Sequence, residues 1–205
     1  MDNIERAISQ VADIHARLLA SSRFRGFGPE AMVFTAILSL AVATAQTIWP
    51  HIFAPDALGY VAVWAAATGI WIFVSAAEAI LRSRRLHGRM ANAMLGSTLR
   101  LMLPFAAAGI VIGVTICQLS PSSAWMLPGL WQILIALSAF SMAPSLPRPI
   151  VWVAGWYFAC GAVVFGLGAR SGELSPWMMG LPLTLGQASV AFILHRAKGE
   201  ADARS

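Results

Sequence analysis

The segment Ala57–Leu81 reads ALGYVAVWAAATGIWIFVSAAEAIL, and the basic stretch RSRRLHGR, residues 82–89, follows it directly. Glu78 is the single charged side chain in this apolar segment. A hydrocarbon core of about 30 Å is crossed by about 20 helical residues. Arginine and lysine collect where such a helix leaves the bilayer on the cytoplasmic side. The pattern therefore predicts a transmembrane helix with a cytoplasmic basic end.

The composition of the whole chain indicates the same class of protein. Of the 205 residues, 58% are hydrophobic and only 11% are charged, and the mean hydropathy is +0.71. Soluble domains carry about 25% charged residues, so most of this surface is not built to face water. Cys117 and Cys160 lack metal-ligand spacing and should differ in depth by about 10 Å. Neither a metal site nor a disulfide is expected.

Six apolar segments divide the chain, and each is long enough to cross a bilayer as a helix. Strands of a membrane barrel are about half as long and alternate polar with apolar residues, which these segments do not. We therefore predict an all-α polytopic membrane protein with six transmembrane helices, occupying residues 28–196. The segments are Ala31–Trp49, Ala57–Leu81, Leu101–Leu119, Trp125–Ala143, Ile150–Ala169 and Trp177–Leu194.

The distribution of basic residues predicts the orientation. With the N-terminus placed inside, thirteen of the 14 Lys and Arg residues fall on the cytoplasmic side, and Arg170 alone falls outside. Both termini are therefore expected in the cytoplasm. Since the net charge of +5 follows this topology, no nucleic-acid partner is expected. Trp49, Trp125 and Trp177 mark the opposite interface, where amphipathic rings prefer to lie.

Residues 1–27 precede the first segment and carry an apolar stripe of Ile4, Ile8, Val11 and Leu18. Charged residues occupy the other face, so the stretch is predicted to form an amphipathic helix on the cytoplasmic side. Residues 197–205 are expected to be a disordered cytoplasmic tail.

Polar but uncharged residues inside the segments are the candidate site. Pro128 and Pro182 each precede a glutamine, and a proline in a span frees a backbone carbonyl that another group must satisfy. One interpretation is that the glutamines only hydrogen-bond between helices. The other is a weakly polar pocket with aromatic walls. Its predicted ligand-binding residues are Trp131, Gln132, Gln187, Trp156 and Tyr157.

Two interpretations of Glu78 are open. It stands four residues before Arg82, a spacing at which the two side chains pair on one helix face, and it is near a segment end. A site role is the alternative, because an ionisable residue in a span suggests function by default. Signatures of serine hydrolases, zinc proteases and paired carboxylates are absent from the sequence. We expect no catalytic residue, no metal and no cofactor.

The chain also resembles an uncharacterised family of small bacterial six-helix membrane proteins. The resemblance rests on ISQVADIHARLLASSRFRGFGPEA (residues 8–31), LPGLWQ (127–132), GWYFACGAVVFGLG (155–168) and SPWMMGLP (175–182). Genes of this family often lie beside a winged-helix transcription regulator. The resemblance implies a bacterial inner-membrane protein with a sensory or regulatory role, and it supplies no catalytic residues.

Three functions are compatible with these patterns, and the least favoured is an intramembrane enzyme, because no catalytic signature is present. The first is a non-enzymatic inner-membrane sensor, regulatory or ligand-binding protein for an apolar or weakly polar ligand or a cytoplasmic partner. The second is a small transporter or the substrate-binding subunit of one. The expected partners are the lipid bilayer and either a cytoplasmic protein or a second copy of the chain.

Overall fold

A computed structural model describes residues 28–85 and 89–202, and they are all-α. No strand occurs among these residues. The predicted N-terminal amphipathic helix, residues 1–27, lies outside them. A helical turn, Pro50–Phe53, and two short 3₁₀ helices, Pro121–Met126 and Ala143–Ser145, occupy three of the connections. Six long helices follow in chain order: α1 Pro29–Ile48, α2 Ala57–Arg85, α3 Arg89–Leu119, α4 Leu127–Met142, α5 Ile150–Ser171 and α6 Pro176–Asp202.

The length and composition of the helices are compatible with a helical membrane protein. Five helical stretches are long and apolar enough to cross a bilayer, and a shorter apolar stretch, Leu103–Leu119, lies in α3. The five are Pro29–Ile48, Ala57–Val74, Pro121–Met142, Ile150–Ser171 and Pro176–Ala197. The predicted all-α class is confirmed and the apolar helices are compatible with the predicted membrane class, whereas the count of six spans stays a prediction.

The burial pattern differs from that of a soluble protein in its many exposed apolar side chains. Large apolar side chains are exposed on each of the six long helices, with Trp152 82% and Phe73 74% exposed. The buried residues instead include three glutamines, Gln46, Gln132 and Gln187. A contiguous apolar exterior of this kind would be costly in water. It is favourable where lipid surrounds the bundle and polar groups find partners only inside.

Two antiparallel helix pairs form most of the described interior. The most extensive packing joins α1 to α6 and α4 to α5. In the first pair Gly180 lies directly against Ala43, and the Thr184 hydroxyl donates to the Ala36 carbonyl oxygen at 3.4 Å. Small residues at such crossings let two backbones approach closely, which gives membrane helices their packing contacts.

Glycines set the α4–α5 crossing in the same way. A Cβ at Gly129 or at Gly161 would lie 3.0 Å from the carbonyl oxygen of the other glycine. Trp125 covers Gly168, seven residues after Gly161 on α5. The Trp125 ring centroid lies 5.5 Å from that of Phe165. The pair is therefore held at backbone distance over several turns.

The helix boundaries follow local chemistry. Pro29 and Pro176 begin α1 and α6, because proline lacks the N–H that the first helical turn leaves unpaired. Gly172 ends α5 with φ of 66°, a left-handed conformation that favours glycine, and its N–H donates to the Gly168 carbonyl oxygen at 2.8 Å. We call the end carrying Trp49, Trp125 and Trp177 the tryptophan end, and the opposite end, which includes Arg148 and Arg196, the basic end.

The observed bounds differ from the predicted segments mainly at the basic end. The structure begins α3 at Arg89 rather than at residue 101, and it extends α2 to Arg85. Polar and basic residues continue a helix once it has left an apolar medium, so hydropathy alone misses these extensions. The same holds for α6, which continues to Asp202. The disordered tail predicted from residue 197 is therefore helical to residue 202, and residues 203–205 lie outside the description.

Candidate functional site

Pro182 interrupts α6 and leaves one backbone carbonyl without its helical donor. In a regular helix the amide of residue 182 would bond to the carbonyl of Met178, four residues earlier. The side-chain Nε2 of Gln132, on α4, donates to this Met178 oxygen instead. Gln132 is completely buried. Gln132, which follows Pro128 in the sequence, thus replaces the hydrogen bond that Pro182 removes in another helix.

Pro128 has a different role from the one predicted. It is the second residue of α4 and follows the 3₁₀ helix Pro121–Met126, so it stands in a first turn. The Ala124 carbonyl oxygen, four residues before it, accepts from the Leu127 amide. Pro128 therefore leaves no carbonyl free within a span, and the prediction of a freed carbonyl is correct only for Pro182.

A second set of polar side chains lies between α1, α2 and α6 toward the tryptophan end. Tyr60 and Trp64 pack with Ala43 and Met179 in one buried cluster. The Tyr60 hydroxyl donates to the Ser175 carbonyl oxygen at 3.3 Å. The Met179 sulfur lies 3.9 Å from Gln132 Nε2. This sulfur therefore connects the aromatic pair of α2 with the glutamine of α4.

Tyr157 lies deeper in the bundle, against α6. Its ring and hydroxyl occupy the space that a side chain at Gly186 would fill. The hydroxyl faces the side-chain amide of Gln187, but neither the hydroxyl nor Gln187 Oε1 reaches hydrogen-bond geometry. Leu183 packs against both the Tyr157 cluster and the Tyr60–Trp64 cluster. The two groups of polar side chains are thus separated by a single leucine.

Polar atoms in this interior remain without a partner among the described residues. Five of the side chains that carry such atoms are at most 8% exposed, and none of the five is charged: Gln46, Trp64, Gln132, Tyr157 and Gln187. We call these five the interior polar cluster. Gln46 and Gln132 each use their nitrogen, toward Phe53 O and Met178 O, and keep their oxygen unpaired.

The unpaired atoms of the cluster are chemically complementary. Three amide oxygens are acceptors, the Trp64 indole N–H is a donor, and the Tyr157 hydroxyl is both. By residue rise, Gln132 lies about 8 Å and Gln187 about 16 Å from the start of its helix at the tryptophan end. The cluster therefore extends from near this end to about the middle of the bundle.

The sequence predicted five ligand-binding residues, and in the structure they do not all lie together. Gln132, Gln187 and Tyr157 belong to the interior polar cluster. Trp131 instead donates through its indole to the Gly109 carbonyl oxygen on α3 at 3.1 Å. Trp156 is 40% exposed on the outside of the bundle and donates to the Pro182 carbonyl oxygen at 3.2 Å.

Gln46 and Trp64 complete the cluster but were not proposed as site residues. Gln46 carries a sequence signal, since it is a polar residue inside an apolar segment. Trp64 gives none, because one tryptophan in an apolar run is equally suited to face lipid. Its position is set by the packing of α2 against Ala43 and Met179.

Two remaining expectations concern charge and metal. Glu78 is half-buried on α2, and the side chain of its proposed partner, Arg82, lies outside the described side chains. Within the part of the chain that the structure describes, no three His, Cys, Asp or Glu residues are grouped to hold a metal ion. Cys117 and Cys160 are free thiols.

Comparisons of the chain with protein-family models, with curated proteins and with solved structures found no match. The resemblance to six-helix bacterial membrane proteins accordingly stays a prediction.

The two tyrosines give a prediction that separates a bonded hydroxyl from an unbonded one. Tyr60→Phe should lower the free energy of unfolding by about 0.5–1 kcal/mol, because it removes the bond to the Ser175 carbonyl. Tyr157→Phe should leave that free energy unchanged or raise it slightly, since its hydroxyl is buried without a partner. Unfolding of both variants in mixed micelles measures the difference. A larger loss for Tyr157→Phe than for Tyr60→Phe would contradict the assignment.

Proposed function

We propose that this protein is a non-enzymatic, six-span membrane protein that binds a small, neutral, weakly polar ligand at the interior polar cluster. In this proposal both termini are cytoplasmic, the membrane is the bacterial inner membrane, and the bound ligand is sensed or reported to a cytoplasmic partner.

The unpaired polar atoms of the cluster are the observation that supports ligand binding. A buried polar atom without a hydrogen bond costs about 1–3 kcal/mol, and such atoms are few in folded proteins. Here five buried side chains have that property, and they extend from near the tryptophan end to about the middle of the bundle. In this proposal the unpaired acceptors and donors of the cluster are the groups to which a further molecule bonds.

The chemistry of the cluster limits the class of ligand. No member is charged, and an ion buried without a counter-charge would be strongly disfavoured. A neutral molecule with at least one hydroxyl or N–H would match the amide oxygens, and an acceptor on it would match Trp64. Leu183 and Met179 supply the apolar surface that such pockets usually have.

The regulatory part of the proposal rests on the sequence. The N-terminal stretch and residues 82–100 are the two cytoplasmic segments long enough to contact a partner, and the family resemblance implies a regulator. A transporter is the competing function. Transport requires that the polar cluster be accessible first from one end of the bundle and then from the other. A protein that binds its ligand without this alternating access is better explained as a sensor.

Native mass spectrometry of the purified protein tests the ligand directly. We expect the parent to retain a small organic molecule, and the pair of changes Tyr157→Phe and Gln187→Leu to reduce its occupancy at least tenfold. Ser189→Ala is the matched control, because Ser189 is exposed on the same helix and its hydroxyl bonds to Leu185 O at 2.8 Å.

The outcomes of this test differ clearly. Loss of the molecule in the double variant with retention in Ser189→Ala supports the proposal. A parent that carries only water in the cluster refutes it, since a buried water also satisfies two to four polar groups. The amides would then act only between helices.

A further inference from the structure

A groove opens between α5 and α6 on the outside of the bundle, away from the interior polar cluster. Its volume is about 560 Å³, within the range of sites for small ligands. Its walls are almost entirely apolar and include Trp156, Ala159, Val163 and Leu167 of α5. Buried Pro182 forms part of its floor on α6.

The dimensions of the groove correspond to one leaflet of a bilayer. The α5 residues that line it extend from Trp156 to Leu167, about 16 Å along the helix at 1.5 Å per residue. Half of a hydrocarbon core is about 15 Å. On α6 the lining runs from Pro182 back to Ser175 and Trp177 at the tryptophan end. The groove thus opens laterally where acyl chains of that leaflet would lie.

Arg170 follows the groove-lining residues of α5 on the side of the tryptophan end. It follows Leu167 by three residues and Trp156 by fourteen, about four turns, so it continues the face of α5 that lines the groove. It is exposed, close to the end of α5 at Ser171. Arg170 is also the single basic residue that departs from the charge asymmetry of the sequence, so a specific reason for its position is needed.

We propose that the groove and Arg170 together bind one phospholipid of the tryptophan-end leaflet. An acyl chain lies in the groove between α5 and α6, and the lipid phosphate meets the Arg170 guanidinium. Arginine suits this role because its planar donors match phosphate oxygens. The Trp177 indole, half-exposed at the same level, is placed where aromatic rings meet lipid head groups.

A phospholipid explains features that a helix of another protein would not. A partner helix needs a continuous stripe of small or polar residues for close contact, whereas in the groove wall bulky Trp156, Val163 and Leu167 interrupt the smaller residues Ala159 and Cys160. Its floor holds no unpaired polar atom of the interior polar cluster. The occupant therefore has an apolar body and a single charged end.

Native mass spectrometry with two defined probes tests the site. Dioleoyl phosphatidylglycerol and dioleoylglycerol share their chains and differ in the phosphate head. The parent should bind the phospholipid at least fivefold more tightly. Arg170→Gln should weaken phospholipid binding five- to tenfold and leave dioleoylglycerol binding unchanged. Arg148→Gln, at the basic end, is the matched charge control and should have no effect.

A pair of alanines on α5 tests the groove itself. Ala159 lines the groove, whereas Ala162 is equally exposed and does not. Ala159→Trp should weaken binding of both probes at least tenfold, and Ala162→Trp should change neither. Both sites face outward, so folding should survive, and Arg170→Gln gives a second test that leaves the groove unaltered.

Three results would overturn the proposal. They are equal affinity of the parent for the two probes, equal effects of Ala159→Trp and Ala162→Trp, or equal effects of Arg170→Gln and Arg148→Gln. The site is independent of the interior polar cluster, so the Tyr157→Phe and Gln187→Leu pair should bind phosphatidylglycerol like the parent. Failure of one proposal therefore leaves the other standing.

Discussion

Gly180→Ala should lower the free energy of unfolding by about 2 kcal/mol, a typical cost of overpacking a well-packed interior. The added methyl would overlap the Ala43 Cβ, and both atoms are attached directly to backbone. No side-chain rotation relieves such an overlap, so α1 and α6 must separate along their most extensive contact. Unfolding in mixed micelles, followed by circular dichroism, measures the change.

The reciprocal substitution provides the control for this effect. Adding Ala43→Gly to Gly180→Ala moves the methyl group from α1 to α6 and restores the space, so the double variant should unfold within about 1 kcal/mol of the parent. Gly155→Ala tests the effect of alanine alone, because a Cβ at residue 155 would meet nothing within 4 Å. It should be neutral or slightly stabilising, since alanine favours helix. A similar loss at Gly155 and Gly180 would refute the packing argument.

Gln132→Met should lower the free energy of unfolding by about 1–2 kcal/mol, because it leaves a buried acceptor without its donor. Methionine matches the length of glutamine and keeps the interior filled, but it cannot donate to the Met178 carbonyl. Hydrogen bonds between membrane helices often contribute less than this, because the groups find other partners. The Met178 oxygen has no such reserve, since Pro182 supplies no amide hydrogen to its own helix.

Combining Pro182→Ala with Gln132→Met gives a double-mutant cycle. Alanine at residue 182 restores an N–H that bonds to the Met178 oxygen within α6, so Gln132 is no longer required there. In that background Gln132→Met should cost less than about 0.5 kcal/mol, and the coupling between the two positions should be about 1 kcal/mol. Equal costs of Gln132→Met in both backgrounds would show that the glutamine stabilises the bundle in some other way.

Much of the architecture was predictable because the hydropathy and length of the segments determine where the helices lie. The apolar segments indicated the all-α class and located the helices, and the prolines and Gly172 lie at or near several helix ends. The basic-end extensions of α2 and α3 were not predictable in this way. They depend on the helix propensity of polar and basic residues beyond the apolar stretch. A hydropathy pattern does not show whether such residues are helical.

The candidate site was predictable only in its polar members. Gln132 and Gln187 stand out in an apolar segment, and Pro182 points to a carbonyl that needs a donor. The direction of each aromatic ring depends on which helices pack together. Trp156 and Tyr157 are adjacent in sequence but point to the outside and the inside of the bundle, respectively. Trp64 and Gln46 join the cluster because α1 packs against α6 and α2, a contact between distant parts of the chain.

The pairing of α1 with α6 also fixes the order in which the molecule is assembled. The first and last long helices of the described chain are neighbours, so their interface closes only after α6 has left the ribosome and entered the membrane. Until then Thr35, Ser39 and Gln46 of α1 lack the surface that covers them in the finished bundle. The hydroxyls of Thr35 and Ser39 bond to carbonyls four residues earlier, and Gln46 Nε2 bonds to the Phe53 carbonyl oxygen, so these donors find partners that do not depend on α6. Packing of α6 onto α1 is therefore a late step of assembly, because the described chain between them is made first.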